Sequence, residues 1–167
     1  MGEKLTKSDV KKIQDEIEYR KLTVRKNALD AVKEARAQGD LSENFEYHAA
    51  KKEKNQNESR IRYLEKMLKS AVIVNDEPVD SDVVGMNSRV DLYFAADDET
   101  ETYKIVTSIR GDSLEGRISI DSPLGMAIYK HRLGEKIHVE MVNGSGYDVI
   151  IKKIDQTDDG NDEIRKF

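Results

Sequence analysis

The chain is predicted to be an α+β protein. Two long amphipathic segments joined by one short turn call for a helical hairpin. A later series of short, alternating apolar runs separated by Gly and Asn calls for a small sheet. The expected domains are a coiled-coil hairpin over residues 1–75, a sheet domain over 78–155 and a charged tail over 156–167.

Residues 8–38 and 43–74 each run without an internal Gly or Pro, so both read as continuous helix. In the first, Val10, Ile13, Ile17, Val24, Ala28, Ala31 and Ala35 form a seam that Arg20 interrupts. In the second, Tyr47, Ala50, Ile61, Leu64, Leu68 and Ala71 form the matching seam, with Lys54 and Asn57 in its two polar gaps. Sustained 3/4 spacing on both sides of a short turn specifies an antiparallel coiled-coil hairpin. Folded back, about 30 residues at ~1.5 Å each make a rod roughly 45 Å long. Polar gaps in such a seam weaken it but fix register. Ala28, Ala31, Ala35, Ala49 and Ala50 gather near the turn and let the helices approach closely.

Charged residues make up 37% of the chain, too many for a compact globule but normal for an arm that buries one stripe per helix. There is no Cys, which excludes disulfides and thiolate metal sites. No apolar run approaches membrane-spanning length and Met1–Leu5 lacks a signal-peptide core, so a soluble, cytoplasmic protein without membrane association is expected. Residues 1–75 carry 17 Lys+Arg against 13 Asp+Glu, and the remainder 11 against 20. Neither half is basic enough for a free-standing DNA-binding domain, although the basic arm suits a position near nucleic acid held by a partner.

After Val74, Asn75-Asp76-Glu77-Pro78 marks a linker. Strand-like runs follow at Ser88–Phe94, Thr102–Ser108, Arg117–Ile120, Ile137–Val142 and Tyr147–Ile154, divided by Gly111-Asp112, Asn143-Gly144 and Ser145-Gly146. Ser122 reads as the N-cap of a short helix with Pro123 in its first turn, running to Tyr129. An antiparallel sheet with one short helix is expected, followed by a frayed tail from residue 155.

The turn Gly39-Asp40-Leu41-Ser42-Glu43-Asn44 admits two readings. As local structure, Gly39 ends one helix, Asp40 caps the next with Glu43 completing a capping box, and Ser42 competes for the cap. As chemistry, Asp40 and Glu43 are exposed carboxylates of the type that hold Mg²⁺ through one or two side chains, waters and a substrate phosphate. Two acids on a turn make half of such a site. The three His are scattered, and no phosphate loop or nucleophile elbow is present.

The run Gly39-Asp40-Leu41-Ser42-Glu43-Asn44-Phe45-Glu46-Tyr47-His48-Ala49-Ala50-Lys51 resembles the signature of the GreA/GreB transcript-cleavage factors of bacterial RNA polymerase. Ser122-Pro123-Leu124-Gly125 resembles the family's second motif, and the resemblance extends over nearly all of residues 5–154. It implies a second domain of FKBP-like fold without isomerase activity. It also implies an elongation factor that binds RNA polymerase, inserts its coiled coil into the secondary channel and stimulates the polymerase's own cleavage of backtracked RNA. The protein would then be no enzyme by itself. Asp40 and Glu43 would help hold the polymerase's Mg²⁺, with no metal bound by the chain alone. Gly39, Ser42 and Asn44 would shape the tip, and Arg36 and Lys51 would face the nascent RNA 3′ end. Ser122 and Pro123 would belong to the polymerase-docking region, and the protein would act as a monomer.

The chain departs from the family pattern at several places. Phe45 stands where a small residue is usual, Arg25-Lys26 replaces an Arg-Pro, and Met126 and Lys130 replace an Arg and a Gly. These departures motivate an alternative, a paralogue that occupies the same channel and regulates or inhibits without promoting cleavage. A plain coiled-coil adaptor, for which the tip acids are dispensable, is the third reading.

Overall fold

The computed structural model describes residues 2–39 and 44–166. It divides into two units, one built from the helices and the other from residues 4–8 and 72–166.

In the helical unit α1 (Lys7–Tyr19) passes through one π-helical stretch, Arg20–Val24, into α2 (Arg25–Ala37). After the turn, α3 (Phe45–Ser70) returns antiparallel. The contacts Glu16–Arg60, Arg20–Asn57 and Arg36–Tyr47 link partners in reversed order along the two segments. Ile13, Ala35, Ile61, Leu64 and Met67 are buried. The expected uninterrupted first helix is therefore corrected at Arg20–Val24. There the Arg20 carbonyl accepts from the Arg25 amide, five residues on, and also from Asn57 Nδ2 at 3.3 Å. The extra residue in this turn shifts the seam, so Val32 is half-buried and Ala31 exposed. The irregularity falls just before Arg25-Lys26, with no proline to cause it.

Arg20, the break in the first seam, meets Asn57, one of the two polar gaps in the second. Arg20 Nη1 donates to Asn57 Oδ1 at 3.1 Å, while Arg20 Nε and Arg60 Nε both donate to Glu16 Oε2 at 2.8 Å. Burial pushes the Glu16 carboxyl up, but the hydrogen bonds and charges of Arg60 and Arg20 outweigh it and hold the group below its ordinary value.

The second helix was expected to run to residue 74 but ends at Ser70. The β-branched run that follows is better satisfied as a strand. Here β1 (Lys4–Leu5) pairs in parallel with β2 (Val72–Ile73), and the Val74 amide donates to the Leu5 carbonyl at 2.8 Å.

The sheet unit has strands β3 (Ser88–Phe94), β4 (Glu99–Val106), β5 (Arg117–Ser119), β6 (Lys136–Glu140) and β7 (Gly146–Gln156), in the order β5-β4-β3-β7-β6. The expectation of a wholly antiparallel sheet is corrected at one edge, where β5 runs parallel to β4. Two short 3₁₀ turns, Ser108–Arg110 and Ser113–Glu115, carry the chain between them, with Gly116 left-handed at φ 71°. One sheet face, with Val90, Leu92, Ile105, Val139, Val149 and Ile151, packs with Val84, Ile120 and Ile128 into a single core.

Helix α4 (Pro123–Ile128) lies on that core. Ser122 Oγ accepts from the Gly125 amide at 3.0 Å and donates to the Ser119 carbonyl at 2.6 Å, as its N-cap reading requires. A Cβ on Gly125 would stand 2.0 Å from the Ser119 carbonyl oxygen, so only Gly lets the helix approach β5 this closely. Lys130, where the family usually has Gly, adopts φ 67°. A lysine there bears a backbone cost that glycine would not.

The tail is not frayed. Thr157 Oγ1 donates to the Asn87 carbonyl at 2.5 Å, Asp162 pairs with Lys104 and Arg110, each at 2.8 Å, and the Arg165 amide donates to the Ile109 carbonyl at 2.6 Å.

Candidate functional site

The turn between α2 and α3 is organised by one side chain. The Gln38 amide donates to the Ala35 carbonyl at 3.2 Å, and Gly39 follows at φ 137°. That angle suits glycine. Asp40, Leu41, Ser42 and Glu43 lie outside the described residues. The chain resumes at Asn44, whose Oδ1 accepts from the Tyr47 amide at 3.0 Å as the N-cap of α3.

The cap of α3 is therefore Asn44, where the sequence offered Asp40 or Ser42. The helix starts later than expected because Asn44 suits this position and does two jobs there. Its Nδ2 donates to the Ala35 carbonyl at 2.7 Å, so one amide satisfies an orphan acceptor of α2 and an orphan donor of α3. Asn44→Ala should lower hairpin stability by about 1–2 kcal/mol through the lost cap and stitch. Urea unfolding followed by far-UV circular dichroism reads this directly, and a loss below about 0.3 kcal/mol would contradict it.

Beside the turn sits a basic cluster. Arg36 Nη2 donates to the Tyr47 hydroxyl at 3.4 Å and its guanidinium lies 5.5 Å from the ring centroid. The hydrogen bond from Arg36, with the charges of Lys51, Arg36 and Lys54, holds the Tyr47 phenol below its ordinary value of 10.0 despite an opposing contribution from burial. His48, Lys51, Lys52, Asn55, Gln56 and Ser59 line a shallow groove of about 440 Å³ along α3. Arg36 and Lys51, which the resemblance places in one basic patch, both act on the same tyrosine. Sequence reasoning assigned Tyr47 only to the seam. Its aromatic ring eleven residues from Arg36, across a turn, was the available signal.

Phe45 is 86% exposed. Ser122 and Pro123 lie in the sheet unit, where Ser122 caps α4 and Pro123 occupies its first turn. Among the described residues, no group of three or more His, Asp or Glu is placed to hold a metal ion. At the turn the sequence supplies two carboxylates, Asp40 and Glu43, fewer donors than Mg²⁺ needs.

Residues 3–73 match the family model for the N-terminal domain of the GreA/GreB transcription elongation factors, and residues 79–156 match the model for their C-terminal domain. The chain belongs to the GreA/GreB family. It is 41% identical over 140 residues to transcription elongation factor GreA of Geobacillus kaustophilus, covering 84% of this chain and 89% of that protein. Against GreA of Lachnoclostridium phytofermentans it is 40% identical over 156 residues, 92% of this chain and 95% of that one. Among solved structures, GreA factor homolog 1 (Gfh1) of Thermus thermophilus is 27% identical over 93% of this chain and 99% of that one, with a TM-score of 0.42. Membership of the Gre family makes the protein a transcription elongation factor and not a catalyst in its own right. Among the described residues, no helix is long and apolar enough to cross a membrane.

Proposed function

We propose that this Gre-family factor binds bacterial RNA polymerase, inserts its helical hairpin into the secondary channel and stimulates cleavage of backtracked nascent RNA. The observation that carries the reading is the turn, where Asp40 and Glu43 lie between a Gly39 fit for the helix exit and an Asn44 that ties both helices together. A rigid base of this kind suits residues that must be delivered into another protein's active centre.

Asp40 and Glu43 serve as carboxylate ligands completed by the polymerase's own acids. Asp40 and Glu43 would hold a shared Mg²⁺ there, whose chemistry would be activation of a water and neutralisation of charge on the scissile phosphate. Arg36 and Lys51 present cations toward the extruded RNA, whose phosphates they attract without reading sequence. The Arg36–Tyr47 contact holds the first of these cations in place. Ser122 and Pro123 fix α4 on the sheet unit, the part assigned to docking on the polymerase. The protein works in the cytoplasm as a monomer, and the reacting bond is cut by the polymerase.

The test is a halted, backtracked elongation complex incubated with and without the protein. Shortened transcripts that resume extension are expected only with it. Binding to polymerase without cleavage would replace this reading by that of a channel-occupying regulator. The exposed Phe45, two residues after Glu43 in the sequence, is the motive for that alternative.

A further inference from the structure

On the sheet face opposite the core, three cations stand in one row across adjacent strands. Arg89 of β3 is paired directly with Lys104 of β4, and Lys104 with Arg117 of β5. Directly paired residues point to the same face, and neighbouring strands are about 4.8 Å apart, so the row spans roughly 10 Å. All three side chains line one cleft of about 400 Å³. Like charges placed opposite each other destabilise a sheet unless an anion lies between them. The row is also out of character, since residues 76–167 carry 20 acids against 11 bases.

An anion is supplied by the chain's own tail. Asp162 lines the same cleft and pairs with Lys104 Nζ at 2.8 Å and with Arg110 Nη1 at 2.8 Å. Lys104 Nζ also donates to the Asp158 carbonyl at 2.6 Å, and Arg110 Nη1 to Asn87 Oδ1 at 2.8 Å. The Arg110 side chain is fully buried and that of Lys104 is 10% exposed. Burial pushes the Asp162 carboxyl up, and the hydrogen bonds and charges of Lys104 and Arg110 reverse this and hold it below its ordinary value. Arg89, by contrast, is exposed and makes no ion pair among the described residues. The match to the family's C-terminal model ends at residue 156, just before this acidic segment begins.

We propose that the Arg89–Lys104–Arg117 row, with Arg110 beneath it, is a docking site for an acidic peptide segment, and that residues 157–166 occupy it in cis. The occupant now in the cleft defines the class of ligand. It is a short segment with Asp158, Asp159, Asp162 and Glu163, turned at Asp159–Asp162 and read through one buried carboxylate and flanking backbone. A buried cation pair cannot be left without an anion except at a cost of several kcal/mol. The tail therefore leaves only by exchange, when an acidic segment of a partner takes its place.

The test uses the full chain and a fluorescent peptide with the sequence of residues 157–166. A tethered segment competes at an effective concentration in the millimolar range, so the unmodified protein should bind the free peptide only weakly. Asp162→Asn should tighten peptide binding about tenfold or more by weakening the cis occupant. Adding Lys104→Gln to that variant, or raising salt, should reverse the gain. Equal peptide binding by the unmodified protein and Asp162→Asn would overturn the proposal.

A second measurement needs no variant. Excess free peptide should accelerate hydrogen exchange of the Arg165 amide in the unmodified protein, whereas a peptide with Asn in place of every Asp should not. No acceleration, or equal acceleration by both peptides, overturns the proposal. A short single-stranded RNA that displaces the tail more effectively than the acidic peptide would also overturn it, in favour of a phosphate ligand.

Discussion

Replacing Asp40 and Glu43 together by Ala should reduce stimulated cleavage at least ~100-fold, because even outer-shell partners of a metal site are worth 10–100-fold. Binding to RNA polymerase should persist, since neither residue belongs to the seam or to the sheet unit. Single substitutions should each cost most of the effect, because two ligands that hold one ion act as a unit and their losses do not add. The Asn44 cap separates this expectation from a folding defect. The turn keeps its stitch to Ala35 and Tyr47 in the double variant, so helix content and the urea midpoint should match those of the parent. Raising Mg²⁺ should restore part of the activity, as expected for weakened ion binding. Cleavage at the parental rate by the double variant, with polymerase binding intact, would remove the acids from the mechanism and leave the turn as a helix connection only.

The sheet unit was legible in the sequence because its strands alternate and its turns carry Gly and Asn. Ser88–Phe94 was located to the residue, and the Ser122-Pro123 cap of α4 followed from local chemistry alone. The parallel β5 was not legible. A three-residue strand has no periodicity to read, and its direction is set by the two 3₁₀ turns that precede it. The tail was misread for a related reason. Composition marks Asp158, Asp159, Asp162 and Glu163 as solvated charge, and only the fold brings together the Lys104 and Arg110 cations that hold Asp162. At the turn, position and chemistry were readable as a motif, while the choice of Asn44 over Asp40 or Ser42 as cap was not. All three are good caps by type, and what decides among them is the second bond of Asn44 to Ala35, on the other helix. Arg20 and Asn57 were each visible as breaks in a seam. Their meeting depends on the π-helical turn, which no Gly or Pro announces.

That meeting gives the hairpin its most costly single substitution. Glu16 lies under two guanidinium groups, and the Arg60 side chain is only 4% exposed. Removing one partner of a buried ion pair costs about 3–5 kcal/mol, and Glu16 retains a fifth of its side-chain exposure, so Glu16→Gln should cost about 2–3 kcal/mol. The loss comes mainly from taking the carboxylate away from the buried Arg60 rather than from the pair's net attraction. Replacing Glu16 and Arg60 together by Met should therefore recover most of it, since apolar substitutes of similar size often match or exceed a buried pair. Acid should act in the same direction as Glu16→Gln. The folded-state pKa of Glu16 is depressed below 4.5, so its contribution is fully present above that unfolded value and disappears as pH falls through the folded one. The stability gap between the parent and Glu16→Gln should then be constant near neutral pH and close as the solution passes below about pH 4. Urea unfolding across that range measures it. A gap that stays open in acid would mean that Glu16 contributes through packing and not through charge, and that the π-helical turn is held by Asn57 alone.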